Sequence, residues 1–187
     1  MDGTVKLMRK RIMSWERGRI FFIDDFASME SQGSVRIALS QLVSEGMIVR
    51  LARGIYCYPK IISGGRSVSP TSYAAQGRFR LPDPELIAHA LAAKERVRIM
   101  PYGDKAANEL GLTGMVVSDH KYLTDGAPRK ISLSGGKKIY FFHTSEVKMF
   151  DFSNDTMQKI SCAIRALGED AIGPEEKRKL HEHLRTV

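Results

Sequence analysis

The sequence is short of the residues that most often carry chemistry. Only two of its 187 residues are cysteine, Cys57 and Cys162, and they stand in no CxxC spacing, so neither a structural zinc site nor a disulfide framework is expected. Each thiol reads as a small buried hydrophobe. No apolar run approaches the ~20 residues of a membrane span, and Met1-Asp2-Gly3 opens no apolar signal-peptide core. The cytoplasm is the expected compartment. Neither glycine-rich piece, Ser63 to Arg66 or Gly135-Gly136-Lys137, continues into the lysine and Ser/Thr of a phosphate loop. His181 and His183 stand two apart on an expected helix, about 200° around its axis, and cannot share a metal. Asp119, His120 and Asp125 remain as acid–base candidates, but Asp125 is accounted for by its turn with Gly126 and His120 has no evident partner. No nucleophile stands beside a visible base. The chain is therefore expected to be no enzyme and to hold no cofactor or metal; a nuclease or transferase would need carboxylates gathered in space.

Acidic charge is scarce in one half only. The chain carries 29 Lys and Arg against 21 Asp and Glu, a net charge of +8. Residues 1–80 hold 13 basic and 6 acidic side chains, a net +7, whereas residues 81–187 hold 16 and 15, a net +1. That surplus suits a polyanion, with counterion release making affinity fall as salt rises. With 43% hydrophobic and 27% charged residues, the length fits a globular protein of one or two domains, and the charge division favours two.

What is abundant in the first half is pattern. In Ser34 to Pro59, SVRIALSQLVSEGMIVRLARGIYCYP, the residues Val35, Ala38, Leu39, Leu42 and Val43 share one face at a 3.6-residue period. Arg36, Ile37, Ser40, Gln41 and Ser44 point away. Ser34 is the expected N-cap and Gly46 the left-handed residue that ends the helix. Met47 to Ala52 and Ile55 to Tyr58 are β-rich runs joined by Arg53-Gly54, a tight hairpin with Arg53 at its tip. Upstream, Val5, Met8, Ile12 and Trp15 make the stripe of a first helix ended by Gly18, Ile20 to Ile23 a short strand, and Asp24 or Asp25 the cap of a brief second helix with Phe26 and Met29. Ser31-Gln32-Gly33 is then the turn into the helix that follows. The order helix, strand, helix, turn, helix, hairpin predicts a winged helix-turn-helix domain over residues 1–60.

Residues 61–80 have no sustained period and read as a linker or basic arm bearing Arg66, Arg78 and Arg80. Residues 81–187 are expected to form a small α+β domain, so the whole chain is α+β. Asp83-Pro84 opens a helix to about Lys94, Val97 to Met100 is a strand, and Asp104 to Leu110 is a helix closed by Gly111. The runs Lys121 to Thr124 and Ile131 to Leu133 flank the Asp125-Gly126 turn, and Ile139 to His143 follows Gly135-Gly136, suggesting an antiparallel sheet. Asn154 caps an amphipathic helix bearing Met157, Ile160, Cys162, Ile164 and Leu167, and Pro174 begins a charged helix ending near Leu184.

The runs GSVRIALSQLVSEGMIVRLARGIYCYP, RIMPYGDKAANELGLTG, KYLTDGAPRKISL and IRALGEDAIGPEE together resemble the AbiEi-like transcriptional regulators, antitoxins of bacterial type IV toxin and antitoxin pairs. The resemblance covers nearly the whole chain; its narrower part is PxGxxAxxxLGL followed by YLTDG. It implies an N-terminal DNA-binding domain that represses its own operon and a C-terminal domain opposing a nucleotidyltransferase-like toxin.

On the winged-helix reading, double-stranded operator DNA is the expected partner. Arg36, Ile37, Ser40 and Gln41 would meet base edges, Arg36 facing guanine and Ile37 a thymine methyl. Gln32 and Ser34 would hold phosphates at the helix N-terminus, and Arg50 and Arg53 would engage the backbone or minor groove. The alternative is a winged helix that binds protein without reading DNA, which an exposed Ile37 would suit equally.

Overall fold

The computed structural model describes residues 2–29, 31–61, 79–114, 119–151, 155–168 and 172–185. The chain divides into two compact units, Met1–Asp83 and Pro84–Val187, and its architecture is α+β.

The first unit opens with helix α1 (Asp2–Met13). Its stripe is buried as the spacing requires, with Met8 and Ile12 wholly inside. The helix stops before Trp15, however, and that indole lies in the following turn, its ring 5.1 Å from Phe21 and 5.7 Å from Phe26. Strand β1 (Ile20–Phe22) leads into a 3₁₀ turn, Ile23–Phe26, in place of the expected second helix. Asp25 turns the chain here, its carboxylate accepting the Phe22 N–H at 2.8 Å. Helix α2 (Gln32–Ser44) starts earlier than expected. Ser31 is its cap, accepting the Ser34 N–H at 3.3 Å, so Gln32 and Gly33 form the first turn of the helix and Ser34 lies inside it. The cap falls one turn upstream because Ser31 holds the extended ψ of 148° that an N-cap needs. Val35, Ala38, Leu39 and Leu42 are buried along α2, and Gly46 ends it at φ 72°.

Strands β2 (Val49–Ala52) and β3 (Ile55–Cys57) form the hairpin, with Gly54 at φ 75° in its turn. Arg50 pairs with Tyr56 and Ala52 with Ile55, so Leu51 is an extra residue in β2. The bulge drives Leu51 inward, where it is 2% exposed, and bends the hairpin. With β1 the hairpin makes an antiparallel sheet ordered β1-β3-β2. Helices, 3₁₀ turn and sheet enclose a core of Met8, Ile12, Phe21, Phe26, Leu39 and Ile48. The expected linker 61–80 begins and ends in a strand pair instead: β4 (Lys60–Ile61) runs antiparallel to β5 (Phe79–Arg80), matching Lys60 with Arg80 and Ile61 with Phe79. Arg66 and Arg78 lie outside the described residues.

In the second unit, α3 (Pro84–Glu95) ends on Arg96 at φ 57°. Then come β6 (Ile99–Pro101), α4 (Asp104–Glu109), β7 (Asp119–Thr124), β8 (Arg129–Ser132) and β9 (Lys138–His143). A 3₁₀ turn, Val147–Phe150, precedes α5 (Asp155–Leu167) and α6 (Pro174–Arg185); Asn154, the expected α5 cap, is outside the described residues. The sheet is ordered β6-β7-β9-β8. Its outer pairs are antiparallel as expected, but the central pair β7 and β9 is parallel, Lys121 facing Tyr140 and Leu123 facing Phe142. The Asp125-Gly126 turn therefore does not join neighbouring strands. It carries the chain past the place β9 takes, and Asp125 in that turn accepts from the backbone N–H and Nε of Arg98, both at 2.8 Å.

Strand alternation gives the sheet two different faces. Tyr122, Ile139 and Phe141 lie on the face that α3 covers, Tyr122 meeting His89 edge-on. Met100 and Leu123 lie on the other, in a core with Ala106, Ala107, Ile160 and Ala163. The two alanines of α4 are fully buried, which lets α4 and α5 approach closely.

Candidate nucleic-acid interface

The outer face of α2 is assembled by what its inner face buries. Val35, Ala38, Leu39 and Leu42 anchor the helix, and the intervening Arg36, Ile37, Ser40 and Gln41 are left exposed, Ile37 to 54%. About 20 Å of helix thus presents one cation, one large apolar side chain and short polar groups. Gln32 is exposed in the first turn. Ser34, expected as the cap, has its hydroxyl 3.0 Å from that of Ser31, and its backbone N–H is already bonded to the same oxygen. The backbone amide a bound phosphate would meet at position 34 is thereby occupied.

At the other end of α2, a contact absent from the sequence reading appears. Gln41 donates its amide to Glu45 at 3.0 Å, and Glu45 also takes the guanidinium of Arg9 from α1. Gln41 is consequently tied to a carboxylate rather than left free as expected. The sequence signal was present but long-range: α1 has a basic outer face, and Arg9 lies 36 residues from its partner. On the hairpin, Arg53 is exposed in the turn, and Arg50 is exposed with Nε 3.4 Å from the Ala52 carbonyl. The bulge at Leu51 sets the angle at which both arginines leave the sheet.

Other arginines of this unit are occupied by aromatic rings. Arg17 lies over Tyr58 at 4.6 Å and donates to the Pro59 carbonyl at 3.2 Å, Arg19 lies over Trp15 at 4.6 Å, and Arg11 over Phe26 at 5.6 Å. Their charge contributes to the field, while their guanidinium faces are already stacked.

The acid–base candidates of the second unit do not converge. Asp125 is bonded to Arg98, whose guanidinium holds its carboxyl below the ordinary value. His120 has its pKa lowered, first by burial and then by Lys105 and Lys137. His181 and His183 each bond a backbone carbonyl, of Lys177 at 3.0 Å and of Leu110 at 3.1 Å. The carboxylates Glu85 and Glu109 gather around buried Lys105, which is thereby paired. Among the described residues no three His, Cys, Asp or Glu side chains are placed to hold a metal ion. Both thiols are buried, and burial pushes Cys57 and Cys162 up to about 11. No described helix is long and apolar enough to cross a membrane.

Helix, strand, 3₁₀ turn, helix and hairpin over a sheet ordered β1-β3-β2 define a winged-helix protein with an appended α+β unit. The chain belongs to a family described as a family of unknown function (DUF6088), which matches residues 7–187 and so takes in both units. No curated protein matches it.

Proposed function

We propose that this protein is a cytoplasmic, DNA-binding transcriptional regulator, an autorepressing antitoxin whose second unit opposes a nucleotidyltransferase-like toxin. The observation that carries the DNA reading is the exposed face of α2, with Arg36, Ile37 and Ser40 side by side, set beside a hairpin bearing Arg50 and Arg53. Such a helix enters the major groove while the hairpin reaches phosphates or the minor groove. The net +7 of residues 1–80 supports it. Ser31 marks the helix end closest to the backbone, and Arg36 takes the guanine contact. The antitoxin role rests on the resemblance to AbiEi-like regulators, and no catalysis belongs to this reading.

The test is fluorescence anisotropy with duplexes from the region upstream of the protein's own gene. Tight binding that weakens linearly with log salt, and an Arg36→Ala loss of about 1–3 kcal/mol confined to one operator position, is the expected result. An equal loss on every duplex makes Arg36 a phosphate contact. Absence of binding at low salt would leave the second reading, a winged helix that contacts protein through Ile37, which its 54% exposure favours. A nucleotidyltransferase encoded by the neighbouring gene, neutralised on co-expression, would support the antitoxin role; a neighbour of any other kind leaves a plain transcription factor.

A further inference from the structure

The second unit's sheet is only partly covered on the face that carries Met100 and Leu123. Beyond those residues the same face continues through Tyr102, Phe142 and Tyr140, placed by pairings of Leu123 with Phe142 and Lys121 with Tyr140. The rings form a row: Tyr102 to Phe142 is 5.8 Å between centroids and Phe142 to Tyr140 is 6.3 Å. The planes of Phe142 and Tyr140 lie within 9° of each other. Phe142 is 40% exposed on a strand where a solvated aromatic ring adds nothing to the core. Cations flank the row. Lys130 and Lys138 pair with Tyr140 and Ser132 across β8 and β9, Lys121 shares the face from β7, and Lys130 Nζ lies 5.3 Å from the Tyr140 centroid. Asp119, opposite Lys138, is the one carboxylate on this face of β7, β8 and β9. The unit as a whole is nearly neutral, so three lysines to one aspartate around two nearly parallel rings is a local concentration.

We propose that this face binds a nucleic-acid strand with unpaired bases, which stack on Phe142 and Tyr140 while Lys130, Lys138 and Lys121 meet the phosphates. Exposed aromatic rings offer π-faces, and a base can stack on them only when its own face is free. A duplex hides those faces within its stack. An acidic peptide would satisfy the lysines but leave the ring faces without a planar partner. Lys130 gives up a weak exposed contact with Tyr140 and gains a phosphate as the base takes the ring. The inference stands on the second unit and does not depend on duplex binding by α2.

The test uses the full chain with labelled oligo(U) and oligo(dT) strands of about twelve nucleotides, read by anisotropy. Both strands are expected to bind, and Phe142→Ala to weaken binding about tenfold. Phe142→Trp, which keeps a ring, should retain binding, and Phe142→Leu, which keeps apolar bulk without one, should lose it like alanine. Replacing Lys130 and Lys138 together by glutamine should flatten the salt slope by about 1.4. The proposal is overturned if neither strand binds at low salt, if Phe142→Leu binds like the unaltered protein, as a face for protein contact would, or if Phe142→Ala weakens duplex and strand equally.

Discussion

Replacing Glu45 by glutamine should tighten duplex binding, although it removes a structural contact. Glu45 sits at the C-terminal end of α2, where it draws in both the Arg9 guanidinium and the Gln41 amide. Its shape survives in glutamine; its charge does not. The arginine and the carboxylate are 40% and 33% exposed, so the ion pair lies in a largely aqueous dielectric and its loss costs about 0.5 kcal/mol of stability or less. The effect on DNA is larger. If Arg9, freed of its carboxylate, neutralises one more phosphate, the slope of log K against log salt steepens by about 0.9, and at 0.1 M salt this corresponds to roughly eightfold tighter binding. Anisotropy titrations of Glu45→Gln and the unaltered protein at several salt concentrations measure both quantities, and a thermal melt gives the stability term. A salt slope that stays the same, or an affinity that falls, would refute the placement of Arg9 and the end of α2 beside the phosphate backbone.

Two further outcomes follow from the second unit and the buried thiols. Asp125, held below its ordinary pKa by Arg98, contributes stability that is present above the usual carboxylate range and is lost as pH falls towards its folded value; the pair is solvent-screened, so Asp125→Asn should destabilise only slightly in urea unfolding at pH 7, with the gap to the unaltered protein closing as pH falls through the carboxylate range. Cys57 and Cys162, with thiols raised to about 11 by burial, should have roughly one part in a thousand as thiolate at pH 8 and resist a thiol reagent until the protein unfolds, so prompt labelling of the native protein would contradict the burial of both.

The winged helix was legible because its instructions are local. The apolar period in Val35 to Val43, the left-handed glycines at 46 and 54, and two short β-rich runs leave little choice of arrangement. Its errors are local as well. Ser31 and Ser34 both offer capping oxygens, and only the backbone angle at residue 31 decides between them. Ile23–Phe26 is too short for helical period to separate a 3₁₀ turn from a helix. The second unit failed differently. Three runs of similar length and composition fit a meander as well as they fit β9 entering between β7 and β8, a choice that lies in long-range packing and not in local pattern. Within the candidate interface, exposure of Arg36, Ile37 and Ser40 was readable from the helical period. The engagement of Gln41 by Glu45 depends on a rotamer, and the pairing of Arg9 with Glu45 on how two helices pack, neither of which a pattern of residue types encodes.

The pairing of Lys60 with Arg80 and Ile61 with Phe79 changes the genetics of the segment it encloses. Its two ends, Ile61 and Phe79, are neighbours across a ladder, about 5 Å apart. Its length is then nearly neutral: the closure cost grows only with the logarithm of the residues enclosed. Insertions and deletions between residues 62 and 78 should be tolerated without altering the register of anything downstream, and a tag placed there should leave both units as they are. The same additions at Leu81-Pro82-Asp83 would fall on the main line of the chain.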